Sequence, residues 1–232
     1  LDRSIMLSSS SKKIRDFLAE MEPVKIPASV ALFRPIDSME AAVTRMKQWV
    51  DIQIIDGGVL YDLSSVELHI VAESIRICDG LTELDLSEIK LGDGGMTMIA
   101  PALRQCRKLT HLRLANNEIE LGGASELAKV LGQFASLEVL DLSDNTFESE
   151  AVGKIAVGLG QCGKLSNLNL SGNAIEDVAL EMLAKELKKC NPYNALLRLD
   201  LSSNDIGFDK GVGLAALLKQ CPALVLLDVS HN

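Results

Sequence analysis

One pattern governs this chain: a segment of the form L-x-x-L-x-L returns along it at a nearly fixed interval. Leu81-Thr82-Glu83-Leu84-Asp85-Leu86 recurs as Leu109–Leu114, Leu137–Leu142, Leu165–Leu170, Leu196–Leu201 and Leu224–Val229. The starts are 28, 28, 28, 31 and 28 residues apart. The ninth position is Asn in five of the six copies (Asn117, Asn145, Asn173, Asn204 and Asn232), with Ile89 in the first. Two-residue alternation turns the fourth and sixth side chains to one side of a short strand, and an Asn just beyond it can bond backbone groups that a turn leaves unpaired. The first turn, which has Ile89 instead, must be closed differently.

The second half of each copy is helical in period. Positions 19, 20, 23 and 26 fall on one helix face. They hold Ile99, Ala100, Leu103, Cys106; Leu127, Ala128, Leu131, Phe134; Ile155, Ala156, Leu159, Cys162; Leu183, Ala184, Leu187, Cys190; and Leu214, Ala215, Leu218, Cys221. Pro101 should kink its helix or mark a late start. With 47% apolar but only 3% aromatic residues, the interior is filled by aliphatic layers.

An atypical first repeat is expected over 49–80, with Val71, Ala72, Ile75 and Cys78 in the helix slots and Trp49, Ile52, Ile54 and Gly57 as strand and turn. Residues 1–48 read as an N-terminal helical cap. Asp37-Ser38-Met39-Glu40 resembles a capping box, Met39, Ala42, Val43, Met46 and Trp49 share one helix face, and a further helix carries Ile14, Phe17, Leu18 and Met21. Strands stack about 4.8 Å apart whereas helices need about 8–10 Å, so a stack of such units must curve with its strands inside.

The signature L-x-x-L-x-L-x-x-N resembles the leucine-rich repeat. The 28-residue helical form is similar to the ribonuclease-inhibitor-like subfamily, which includes the Ran GTPase-activating protein. That resemblance implies an α/β fold: a right-handed horseshoe solenoid with a parallel β-sheet on the concave face and α-helices on the convex face. The repeat domain spans 49–232, with repeats starting at 81, 109, 137, 165 and 196 and a partial one at 224.

Little in the sequence points to catalysis. All five cysteines occupy the same inward helical slot of successive repeats, too far apart for disulfides and without a zinc spacing. Gly158-x-x-x-x-Gly163-Lys164 approaches a phosphate loop, but Leu165 replaces the required Ser or Thr and the segment runs from helix to strand, the reverse of that motif. His69, His111 and His231 lack a nucleophile at a partner spacing. No enzyme, catalytic residue, metal or cofactor is expected. The net charge of −9 opposes nucleic acid and anionic membrane surfaces. Reduced buried thiols and the lack of a leader pattern point to a cytoplasmic protein.

The expected binding face is the concave sheet. Its third slot carries Glu83, His111, Val139, Asn167, Arg198 and Leu226, and its fifth Asp85, Arg113, Asp141, Asn169, Asp200 and Asp228. Slot seven is serine except at Ala115. This face either meets a basic protein surface or spends part of its charge on a cross-strand ladder in which Arg113 lies between Asp85 and Asp141. The rims differ too. Asp93, Glu118, Glu120, Glu148, Glu150, Glu176, Asp177, Asp205 and Asp209 lie at helix entries, and Arg104, Arg107, Lys108, Lys164, Lys188, Lys189 and Lys219 at exits. Either the helix dipole or a docking rim accounts for this. Tyr193, in the three-residue insertion, is a candidate loop anchor.

The function these features suggest is a protein-binding scaffold or adaptor. The resemblance implies, as alternatives, a GTPase activator acting on a small GTPase, or the ligand-sensing repeats of a larger immune-receptor-like protein.

Overall fold

The computed structural model describes residues 54–56, 65–78, 80–189, 195–207 and 211–232. The 1–48 cap, Cys190 and Tyr193 lie outside them. Strands and helices alternate: β1 (Ile54–Asp56), α1 (Ser65–Ile77), β2 (Glu83–Asp85), α2 (Gly92–Leu103), β3 (His111–Arg113), α3 (Leu121–Leu131), β4 (Val139–Asp141), α4 (Ser149–Leu159), β5 (Asn167–Asn169), α5 (Asp177–Leu187), β6 (Arg198–Asp200), α6 (Val212–Gln220) and β7 (Leu226–Asp228). The strands form one parallel sheet in chain order. Leu84, Leu112, Leu140, Leu168, Leu199 and Leu227 pair in line across it. The repeat therefore fixes the register as well as the strands. All of these leucines but Leu227 are at most 2% exposed.

β1 departs from the expected phase. Ile55, not Ile52, pairs with Leu84, and Ile54 pairs with Glu83 on the slot that faces out of the core. The strand sits three residues later in its unit than the Trp49, Ile52, Ile54 alignment placed it. The helix of that unit falls as expected, with Val71, Ala72, Ile75 and Cys78 all buried.

The helix slots hold through α2 to α5, apart from a half-buried Ala128. On α6 the phase differs: Gly213 and Leu217 are buried while Ala215 and Leu218 are exposed, Leu218 by 40%. Among the helices it packs most closely on α5, and Val212, Ala215 and Leu218 stay exposed. α2 does not start late. It begins at Gly92, and Pro101 falls in its last turn, where one lost backbone bond costs least.

Another buried row was not anticipated. Leu91, Ile119, Phe147, Ile175 and Ile206, two positions beyond the asparagine slot, are at most 3% exposed. Burying each such side chain contributes about 1.5–3 kcal/mol.

The asparagines bind repeat to repeat. Asn145 Oδ1 accepts from the backbone N–H of Asn117 (3.2 Å) and Ile119 (3.0 Å), and its Nδ2 donates to Leu114 O (2.9 Å). Asn117 does the same for Ile89, Leu91 and Leu86 of the copy before it. Each Asn thus closes the turn of the preceding repeat. Ile89 lacks an amide of its own, yet its turn is closed from outside by Asn117, and its side chain is fully buried.

Candidate functional site

The slot-five row is built by a local device. Asp141 Oδ1 accepts from Ser143 N–H (3.1 Å) and Ser143 Oγ (2.7 Å). Asn169 with Ser171 and Asp200 with Ser202 repeat both bonds. Asp85 accepts from Ser87 N–H at 3.0 Å. At β7 the Ser230 hydroxyl and then its amide, helped by His231, hold the exposed Asp228 carboxyl below the usual carboxylate range. The D-x-S spacing explains the serine column, since an acceptor two residues upstream gives each serine its partner. Ala115 is the exception because its upstream residue is Arg113, which offers no acceptor.

This arrangement overturns the expected ladder. Arg113 pairs by register with Asp85 on one side and Asp141 on the other, yet makes no ion pair within 4.0 Å among the described residues. Each neighbouring carboxylate has turned one oxygen back onto its serine turn. Arg198, exposed on β6, is likewise without an ion pair to any described residue. The sheet thus presents two guanidinium groups that no described residue pairs.

Of the twelve expected residues, Val139, Asp141, Asn167, Asn169, Arg198, Asp200 and Leu226 line one shallow concavity of about 230 Å³ over β4 to β7. Leu226 is 50% exposed there. Glu83, Asp85, His111 and Arg113 lie on the same face over β2 and β3, outside that concavity, and Asp228 lies on β7 beside it. The Thr110 hydroxyl donates to Thr82 O at 2.9 Å, so its oxygen accepts from His111 Nδ1 at 2.9 Å. His111 Nε2 is left as the imidazole's outward group.

The acidic rim divides in two. Asp93 accepts from the backbone N–H of Glu120 (2.8 Å), Gly122 (2.9 Å) and Gly123 (2.7 Å), and Asp177 accepts from Gly207 N–H (3.0 Å). These two acids cap the following repeat and are not free for a partner. Glu118, Glu120, Glu148, Glu150, Glu176 and Asp205 remain exposed.

Among the described residues no metal constellation competes with this face. Cys78, Cys106, Cys162 and Cys221 are buried thiols outside any disulfide. Burial pushes the Cys106 thiol up to about 12, far from a nucleophile's range. Among the described residues no cluster of three or more His, Cys, Asp or Glu could hold a metal ion, and the one buried carboxylate, Glu73, pairs with Arg76 at 2.9 Å. No helix among them is long and apolar enough to cross a membrane.

A leucine-rich-repeat family model matches residues 105–128, 135–156, 161–184 and 193–217, each match running from the end of one helix through a strand into the next helix. Residues 105–217 of the chain carry leucine-rich repeats. The fold of the repeats is also that of a solved structure from Caenorhabditis elegans, the tropomodulin C-terminal domain. It superposes with a TM-score of 0.54 at 15% identity, covering 69% of this chain and 93% of that one. At that identity the likeness concerns the solenoid alone. Comparison with curated protein sequences finds no match.

Proposed function

We propose that this leucine-rich-repeat protein is a scaffold or adaptor that holds another protein across the concave face of its sheet. The observation that carries the reading is the pair of guanidinium groups that no described residue pairs: Arg113, between the serine-anchored carboxylates of Asp85 and Asp141, and Arg198, between Asn167 and Leu226. A fold seeking only stability would gain from closing those pairs. Charges left open and held in place serve to orient and select a partner. Five carboxylates (Glu83, Asp85, Asp141, Asp200, Asp228) face two guanidiniums on the row, which favours a partner that is on balance basic but offers acidic groups opposite the arginines. Val139 and Leu226 supply the apolar contact. Buried thiols outside any disulfide at four repeats fit a reducing, cytoplasmic setting.

The test is site-specific photo-crosslinking in cell extract, with a benzophenone side chain placed at Asn167 on the sheet or at Lys154 on the outer helices. Adducts from Asn167 but not from Lys154 support the concave face. The reverse result refutes it.

GTPase activation of the Ran-activator type is the runner-up, on the likeness of the 28-residue strand-and-helix repeat alone. Its test is single-turnover GTP hydrolysis by a small GTPase. No acceleration at saturating protein disposes of it. A sensor region of a larger receptor would draw on the same sheet face.

A further inference from the structure

The repeats supply their own control for the outer helical face. On α4 slots 14 and 18 hold Glu150 and Lys154, an ion pair at 3.8 Å. On α3 slots 18 and 21 hold Glu126 and Lys129, paired at 2.6 Å. On α5 the same slots 14 and 18 carry Val178 and Met182, which are 45% and 38% exposed. Two consequences follow in one place. An aliphatic pair stands where its neighbour has a solvated ion pair, and Lys185, in the slot of Lys129, has lost its acid. Neither Lys185 nor Lys188 makes an ion pair with a described residue.

Val212 on α6, 56% exposed, completes the feature. Together these side chains bound a groove of about 590 Å³ between α5 and α6, with Ala184 and Ala216 along it. A helix face that meets only water is expected to be polar, as the Glu126–Lys129 and Glu150–Lys154 positions are here, although Val157 on α4 is itself 54% exposed. Contiguous exposed aliphatics rimmed by charge mark an interaction surface. The rim carries Lys185 and Lys188 against a single acid, Glu181, an excess of positive charge in a chain of net charge −9.

We propose that this groove takes an amphipathic helix of another protein. Its apolar stripe would seat on Val178, Met182 and Val212, and its carboxylates would lie against Lys185 and Lys188. The shape suits a helix, since two adjacent helices form a ridge-lined channel into which a third packs. The eleven residues from Val178 to Lys188 run about 15 Å along the axis, room for side chains spaced i, i+3 and i+7. Met182 adds a side chain that adapts to different anchors. The site is separate from the concave face.

The test uses the full chain and two labelled synthetic helices of about 18 residues, some five turns. They share one leucine stripe, flanked by Glu in one peptide and by Lys in the other. Fluorescence anisotropy should show the acidic peptide bound at least tenfold more tightly than the basic one. The double variant Val178→Glu/Met182→Lys restores the pair that α4 already carries in those slots, so the fold tolerates it, and it should weaken the acidic peptide at least tenfold. Lys185→Glu/Lys188→Glu should abolish the preference between peptides. Equal affinity for both peptides, no detectable binding, or indifference to Val178→Glu/Met182→Lys would overturn the proposal. Loss of binding in Arg113→Glu/Arg198→Glu instead would place the peptide on the sheet and equally overturn it. If the wild-type chain sediments as a dimer that Val178→Glu/Met182→Lys dissociates, the occupant is a second copy and the proposal fails.

Discussion

The carboxylate of Asp93, in the first turn of α2, fixes the backbone of Gly123 in the first turn of α3. Oδ1 accepts the Gly123 N–H at 2.7 Å and the Glu120 N–H at 2.8 Å, while Oδ2 takes Gly122 N–H at 2.9 Å. α3 has no side-chain cap of its own. The start of one helix is therefore capped by the start of the helix before it, so helix formation and repeat stacking are a single event.

Removing that cap should be costly for its size. Asp93→Ala should destabilise the chain by about 1–2 kcal/mol, the range for a lost N-terminal cap. Gly122→Ala should act in the same direction, although Ala in place of Gly inside a helix is normally worth up to about 1 kcal/mol. A Cβ at Gly122 collides with the Asp93 carboxylate and displaces it. Gly94→Ala is the control, since a Cβ there meets nothing within 4 Å, and it should stabilise α2. Urea unfolding followed by circular dichroism reads all three.

The asparagine ladder makes a graded prediction. Asn145→Ala strands the Asn117 and Ile119 N–H groups and Leu114 O, and unpaired buried polar groups cost about 1–3 kcal/mol each. A total loss of roughly 3 kcal/mol or more is expected. Asn232→Ala breaks the equivalent bonds to Ile206 N–H and Leu201 O at an exposed residue, where water can replace the amide, and should cost less, under about 1 kcal/mol. Equal losses at the two sites would contradict the burial argument.

How far the sequence speaks for itself varies along the chain. From Leu84 to Leu227 the leucines could be aligned by eye, because a period-2 strand inside a 28-residue repeat leaves one register. β1 misled because Trp49-x-x-Ile52-x-Ile54 and Ile52-x-x-Ile55 both satisfy the same aliphatic spacing, and Gly57 in slot six removed the signal that would have decided between them. On α6, Ala215-Ala216-Leu217-Leu218 is apolar in two helical phases, and only packing on α5 selects Leu217. The twelve concave residues were legible from alternation. Their charge pairing was not, because which way Asp85 and Asp141 turn depends on the serine two residues on. That cue was present, in the coincidence that Arg113 and Ala115 break the D-x-S column together.

The cysteines should be inert in the native state. Cys106, with its thiol pushed up to about 12 and its side chain fully buried, should resist iodoacetamide at pH 8 for as long as the chain is folded. Cys78, Cys162 and Cys221 should be protected in the same way, being at most 5% exposed. Site-resolved mass spectrometry checks this. Labelling at Cys106 that outpaces global unfolding would show that the slot is not the packing position described.

The concave face should also separate binding from stability. No ion pair with a described residue is lost when Arg113 or Arg198 is changed, so Arg113→Ala and Arg198→Ala should each shift stability by no more than about 0.5 kcal/mol, as surface substitutions do. Thermal unfolding of the two variants beside the wild type checks it.

The most direct measurement is the binding isotherm of the concave-face partner, once crosslinked and purified, against the wild-type chain and Arg113→Glu/Arg198→Glu. With melting behaviour matched, the variant should bind at least tenfold more weakly, about 1.4 kcal/mol or more. An unchanged Kd for a correctly folded variant would mean that the open guanidiniums serve no partner and that the sheet is not the binding face.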